Sequence, residues 1–221
     1  MKKNLKYFIV IPAYNEAPRI GRVVKGAQKF TKNIIVVDDG SQDETKEIAQ
    51  KAQVVCLHHR LNLGKGAAAK TGVEAALRLG ADLVVLLDAD GQHDPKQIPE
   101  FVEKLGEGFE VVFGARQLDS KMPFVRFLGN RFATFLIALI FGVHRSDLLC
   151  GFMAFTSEAY QKIRWDSARY GLETEIVARV GKNKLKYTEV PIETVYIDKY
   201  KGATVLDALG VLLDIPRWVF R

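Results

Sequence analysis

The 221-residue chain reads as an α/β domain: a mostly parallel, doubly wound sheet with helices on both faces. Three features say so. Short β-branched runs alternate with segments of helix length, the βαβ rhythm of a parallel sheet. Those runs hardly alternate polar with apolar residues, as strands covered on both faces do. No Gly/Ser/Pro-rich linker or internal repeat divides the chain, so a single domain, 1–221, is expected.

Taken in order, Tyr7–Ile11 (YFIVI), Asn33–Val37 (NIIVV), Gln53–Leu57 (QVVCL), Leu83–Leu87 (LVVLL) and Glu110–Phe113 (EVVF) are the strands expected to be buried on both faces. Between them Pro18–Phe30, Asp43–Ala52, Gly66–Leu79 and Pro95–Leu105 carry apolar residues at helical spacing. Ser41 or Asp43 can cap the second helix, and Asp94-Pro95 is an N-cap followed by proline at the first helical position. After Arg116 the rhythm changes. A basic loop (RQLDSKMP) leads to an apolar helix near Phe124–Phe141, a short strand near Gly151–Phe155, and helices near Ser157–Ile163 and Thr174–Lys182. A strand near Lys186–Val195 and an amphipathic helix near Val205–Phe220 complete the chain, which packs as two halves, 1–115 and 116–221, on one sheet.

Composition narrows the function. An apolar fraction of 48% supplies a core and excludes disorder as the main state. The net charge of +6 favours anionic partners. The longest apolar run, FATFLIALIFGV at 132–143, is far short of the roughly 20 residues that cross a bilayer. The N-terminal apolar stretch runs into Asn15 and Glu16 where a signal peptide would be cleaved, so a cytosolic chain is expected. Cys56 and Cys150 stand far apart and are expected as small core residues, and the four histidines lack zinc-ligand spacing, with His93 expected as a surface neighbour of an acidic loop.

Ligands of open α/β sheets bind at the carboxyl ends of the strands. There the sequence places Pro12-Ala13-Tyr14-Asn15-Glu16, Asp38-Asp39-Gly40-Ser41, Asn62-Leu63-Gly64-Lys65-Gly66 and Asp88-Ala89-Asp90-Gly91-Gln92. Helix capping accounts for one such acid, but not for two carboxylate pairs on one edge, which repel unless a cation or hydrogen-bond donors offset them. Mg²⁺ or Mn²⁺ takes one or two carboxylates and completes its shell with phosphate oxygens and water, a role open to Asp88, Asp90 and Gln92. Gly64 to Thr71 approaches a P-loop, but Ala69 stands where the second glycine must let the backbone wrap phosphate, which disfavours a nucleoside triphosphatase. No GxGxxG follows the first strand, which disfavours a dinucleotide enzyme.

Together these loops resemble family 2 glycosyltransferases of the GT-A fold, and within them the dolichol-phosphate mannosyltransferase-like branch. Ile11 to Glu16 and Val37 to Asp43 resemble the nucleotide-binding loops, Asn62 to Gly66 and Asp88-Ala89-Asp90 complete a donor half, and Gly114-Ala115-Arg116, Asn130-Arg131, Asp147 to Phe152 and Gly171 to Glu175 resemble the acceptor half. Tyr196 to Thr204 is similar to the branch's closing segment, with Lys199 and Thr204 where arginine and serine are usual. The resemblance implies inverting transfer of a sugar from a GDP- or UDP-linked nucleotide-sugar to a polyprenyl (dolichyl) phosphate, with Mg²⁺ or Mn²⁺. Pro12, Tyr14, Glu16, Asp38, Asp39 and Lys65 would bind the nucleotide-sugar with Asp88, and Lys199 or Lys201 its diphosphate. Asp88, Asp90 and Gln92 would hold the metal, Asp147 and Glu173 are the candidate bases, and Arg116 and Arg131 would bind the acceptor phosphate.

Five basic residues against one acid between Arg116 and Arg145, interleaved with Phe124, Phe127, Leu128, Phe132, Phe135 and Leu136, suit an anionic headgroup on a hydrocarbon tail. The expectation is a cytoplasmic protein resting peripherally on a membrane, with a possible membrane-protein partner and no nucleic acid. Along the same helix Phe132 to Ile140 are expected to serve the core. A saccharide or soluble acceptor on the same fold, or a non-catalytic nucleotide-sugar-binding or membrane-docking module, are the rival readings.

Overall fold

The structure, a computed structural model, describes residues 5–116, 134–168, 171–193 and Trp218. Seven strands form one sheet: β1 (Tyr7–Ala13), β2 (Ile34–Asp38), β3 (Val55–His58), β4 (Leu83–Leu86), β5 (Val111–Arg116), β6 (Met153–Thr156) and β7 (Tyr187–Ile192), in the order β3-β2-β1-β4-β6-β5-β7. All neighbours pair in parallel except β6, which runs antiparallel to both β4 and β5. The chain builds outward from β1 on one side and returns to its other side with β4, so the order switches beside β1 and leaves a crevice at the strand ends.

Successive side chains of a strand point to opposite faces, and this divides the core in two. Phe8, Val10, Val84, Leu86 and Phe113 face α3 (Lys65–Arg78), α6 (Ser157–Ile163) and α7 (Leu172–Lys182). Ile9, Ile11, Val36, Val85 and Val112 face α1 (Ala17–Ala27) and α4 (Ile98–Gly106). Helix α1 buries Ile20, Val23, Val24 and Ala27, a stripe of one face with proline in its first turn. Helix α3 turns Gly66, Ala68, Ala69, Gly72, Val73 and Ala76 inward. A Cβ on Gly72 would lie 2.4 Å from Val10 Cγ1, so the small residues let this helix sit directly on β1.

Three expectations are corrected here. The third strand is not buried on both faces: β3 is the sheet's edge and Val55 is 43% exposed, while Cys56 is only half-buried. Helix α2 (Thr45–Lys51) starts at Glu44 without a side-chain cap, because Asp43 instead accepts from Ala17 N–H and Thr45 N–H and so joins two loops. Helix α5 (134–141) buries Ile137 but leaves Phe135, Leu139 and Ile140 exposed, so this stretch does not serve the core throughout. The Asp94 cap does form, on a 3₁₀ turn at Pro95–Gln97 that leads into α4. The helix expected at Val205–Phe220 lies outside the described residues apart from Trp218, which is buried.

Candidate active site

The reversed strand explains where the chemistry gathers. Because β6 is antiparallel, its beginning lies where the parallel strands end, and Asp147 to Phe152 arrive beside Asp88. Gly151 packs so tightly there that a Cβ would sit 2.4 Å from both Asp88 Oδ2 and Lys65 Nζ. A larger residue there would displace the Asp88 carboxylate or the Lys65 ammonium.

Lys65, the first residue of α3, bridges Asp88 Oδ1 at 2.7 Å and Glu173 Oε1 at 2.8 Å. Burial alone would lower the Lys65 pKa, but the charges of Asp88 and Glu173 raise it above its usual value. Burial would likewise raise Asp88, yet Lys65, with His93 and Arg116 behind it, holds the carboxyl below the usual range. Asp90 behaves in the opposite way. Burial first and the Asp88 charge second raise its pKa, and Gln92 N–H to Oδ1 at 2.9 Å only partly compensates. No ammonium or guanidinium among the described residues pairs with Asp90, so a divalent cation fits its unmet charge. Among those residues no three His, Cys, Asp or Glu come together as a cage, so a shell would need phosphate oxygens or water as well.

His93 is buried, not a surface neighbour. It stacks on Phe152 with 5.5 Å between ring centroids and places Nδ1 3.9 Å from Asp88 Oδ2. Burial depresses its pKa despite the nearby carboxylates. Beside it Cys150 is pushed up to about 12, chiefly by burial, which leaves a thiol without nucleophilic character.

Arg116 and Asp147 form a two-pronged pair, Nε to Oδ2 at 2.6 Å and Nη2 to Oδ1 at 2.9 Å. Asp147 is fully buried, and the guanidinium lowers its pKa although burial opposes this. Asp147 is held by Arg116 and Glu173 by Lys65, so in this structure each carboxylate orients a cation.

The remaining loops form the other wall. Pro12 is buried one residue before the end of β1, Tyr14 is 40% exposed at the crevice, and buried Glu16 pairs with Arg19 while its N–H donates to Thr45 Oγ1. Asn15 N–H donates to Ser41 Oγ and Asn15 Oδ1 accepts from Gln42 N–H, tying the first loop to the second. Asp38 accepts from His58 Nδ1 at 2.7 Å, and Asp39 meets His59 in the same way. These two histidine partners were missed in the sequence, although β2 and β3 pair in parallel with Asp38 opposite His58. The α3 N-terminus is no phosphate cradle: Ala67 N–H donates to Ala168 O, and a Cβ on Gly66 would strike Ser167 O at 2.0 Å. Arg131, Lys199 and Lys201 lie outside the described residues.

Comparison with known families matches residues 8–164 to Glycosyl transferase family 2. A UDP-N-acetylglucosamine–dolichyl-phosphate N-acetylglucosaminyltransferase of Methanococcus voltae is 34% identical over 216 residues, 86% of this chain and 86% of its own. The polyprenol monophosphomannose synthase of Mycolicibacterium smegmatis is 28% identical over 234 residues, 96% of this chain and 86% of its own. A solved glucosyl-3-phosphoglycerate synthase from Mycobacterium tuberculosis, in complex with Mn²⁺, UDP and glucosyl-3-phosphoglycerate, shares the fold at a TM-score of 0.76 and 20% identity, covering 98% of this chain and 81% of that one. The family match runs from the first strand through the acidic loop to the end of α6, and the chain belongs to glycosyl transferase family 2, a glycosyltransferase of the GT-A fold.

Proposed function

We propose that the chain transfers a sugar, with inversion, from a GDP- or UDP-linked nucleotide-sugar to a polyprenyl phosphate, while resting peripherally on the cytoplasmic face of a membrane. One observation carries the reading. Asp147, which holds Arg116, stands four residues before Gly151, which packs against Asp88 and Lys65, so a cation suited to an anionic acceptor and an acid pair suited to a metal-bound diphosphate share one crevice. The names of the Methanococcus and Mycolicibacterium relatives, a dolichyl-phosphate and a polyprenol-phosphate transferase, support the lipid acceptor.

In this reading Pro12, Tyr14, Glu16, Asp38 and Asp39 enclose the nucleoside. Asp90 and Gln92, with Asp88, hold Mg²⁺ or Mn²⁺, which when bound would offset the charge of the departing diphosphate. Lys65, clamped between Asp88 and Glu173, brings a fixed positive charge to the same region. Arg116, aimed by Asp147, receives the acceptor phosphate, and Arg131, Lys199 and Lys201 are assigned to the acceptor and diphosphate as the family resemblance implies. The acceptor's phosphate oxygen bonds to the anomeric carbon as the bond to the diphosphate oxygen breaks. A phosphate monoester is largely ionised at neutral pH, so positioning replaces a protein base.

Labelled nucleotide-sugars incubated with and without polyprenyl phosphate test the reading. Lipid-linked label that appears only with the acceptor is the expected result. Transfer to a saccharide or to water alone would refute the lipid acceptor, and no turnover with any donor would refute the whole assignment. Asp90→Ala should lower kcat at least about a hundredfold, as loss of one group that offsets transition-state charge does, with an unchanged melting profile.

A further inference from the structure

The structure points to the base of the donor, and the inference rests on Asp39 lying in the donor pocket as proposed above. A carboxylate offers about four lone-pair directions, two on each oxygen. At Asp39 the protein has already filled both on Oδ1, with His59 Nδ1 at 2.7 Å and Leu63 N–H at 3.0 Å. On Oδ2 it has filled one, with Gly64 N–H at 2.7 Å. Among the described residues a single direction remains.

These donors are fixed. His59 is gripped from its far side, where Nε2 meets Thr71 Oγ1 at 3.0 Å, and its side chain is only 13% exposed. A carboxylate has no proton to give, so Nδ1 carries a hydrogen, while Nε2 shares its hydrogen bond with the threonine hydroxyl. The backbone that supplies the other two donors is wedged against the second loop: a Cβ on Gly40, which has φ of +73°, would lie 2.7 Å from the Leu61 carbonyl carbon and 2.9 Å from Asn62 N. A base cannot displace this wall to reach Oδ1.

Guanine and uracil make opposite demands on such a group. Guanine presents two adjacent donors, N1–H and the N2 amino group, and a carboxylate reads them with both oxygens in parallel. Uracil presents one, N3–H. We infer that this chain is built for a uracil base, so that its donor is a UDP-linked sugar and Asp39 reads uracil through the one direction of Oδ2 that no described residue fills. His59 is then a positioning residue for donor selection: by occupying Oδ1 it denies guanine its second bond.

Calorimetric titration of the full chain with UDP and with GDP, each with Mn²⁺, decides the matter. UDP should bind at least about tenfold more tightly, the worth of one charge-assisted hydrogen bond left unmade. Equal or tighter binding of GDP overturns the inference and leaves the transferase reading standing, whereas binding of neither overturns both. His59→Leu frees Oδ1 and should narrow the UDP-to-GDP ratio several-fold. His59→Asn, whose amide nitrogen takes the place of Nδ1, should keep it. An unchanged ratio in a folded His59→Leu protein would also overturn the role given to His59, and the wild-type titration decides the base if that variant does not fold.

Discussion

Asp147 shows how one residue sets the conduct of another. Its carboxylate is fully buried, and its charge is met by Arg116 through two guanidinium bonds and one from the backbone N–H, and by Leu149 N–H through a fourth. Removing one partner of such a pair costs about 3–5 kcal/mol, because the other charge stays behind desolvated. Asp147→Ala should therefore destabilise the fold as well as raise the acceptor KM more than the donor KM. The pH dependence follows from the depressed pKa. Stability from this carboxylate is complete above its ordinary value of 3.8 and is lost as pH falls through the lower folded value. Urea midpoints of wild type and Asp147→Asn should then differ most near neutrality and converge only in strong acid. Convergence already at pH 5 would contradict the pairing. None of this was visible in the sequence, where Asp147 looked like a base and Arg116 like an open phosphate ligand. The two lie 31 positions apart, and no local periodicity joins them.

Elements were legible where the signal was local. Ser157–Ile163 and the strands through Leu83–Leu86 fall where β-branched runs and helical spacing put them, because backbone preference and burial agree there. They were misread where neighbours decide. Gln53–Leu57 has the composition of an inner strand, yet nothing in it says that no strand among the described residues will pair beyond it. Helix α3 shows the same dependence on partners. Its N-terminal turn receives Ala168 O on Ala67 N–H, Trp165 Nε1 donates back to Gly66 O, and Lys70 reaches Trp165 O, so the helix fastens the two halves of the chain. Gly66→Ala would drive a methyl into Ser167 O and should cost roughly 1–3 kcal/mol or more, with lowered transferase activity, because Glu173 follows that segment and orients Lys65. Gly106→Ala, at the end of α4, meets nothing within 4 Å and should be neutral or stabilising by up to about 1 kcal/mol. Thermal melts of the two variants would separate close packing at α3 from a general intolerance of alanine.

At the scale of the whole molecule, the donor loops follow from one rule: parallel strands end at one edge. The acceptor side needed the reversal at β6, which no pattern in Met153–Thr156 announces, and that reversal brings Lys65 to Glu173 across 108 positions. The outer surface carries a further consequence. No helix among the described residues is long and apolar enough to cross a membrane, yet α5 presents Phe135 at 63% and Leu139 at 71% exposure, with Ile140 beside them, on a chain of net charge +6. Apolar groups that dip into the interface together with basic charge facing anionic headgroups give reversible attachment, weakened by salt. The chain should therefore float with vesicles rich in anionic lipid, release from them as salt rises, and bind neutral vesicles weakly. Phe135→Ser with Leu139→Ser should reduce flotation about tenfold or more, since each residue forfeits on the order of 1.5–3 kcal/mol of apolar burial. Neither residue is among the groups assigned to the catalytic crevice, so turnover on a short, water-soluble polyprenyl phosphate should be unchanged. Flotation that is indifferent to both substitutions and to lipid charge would refute the membrane-facing role of α5.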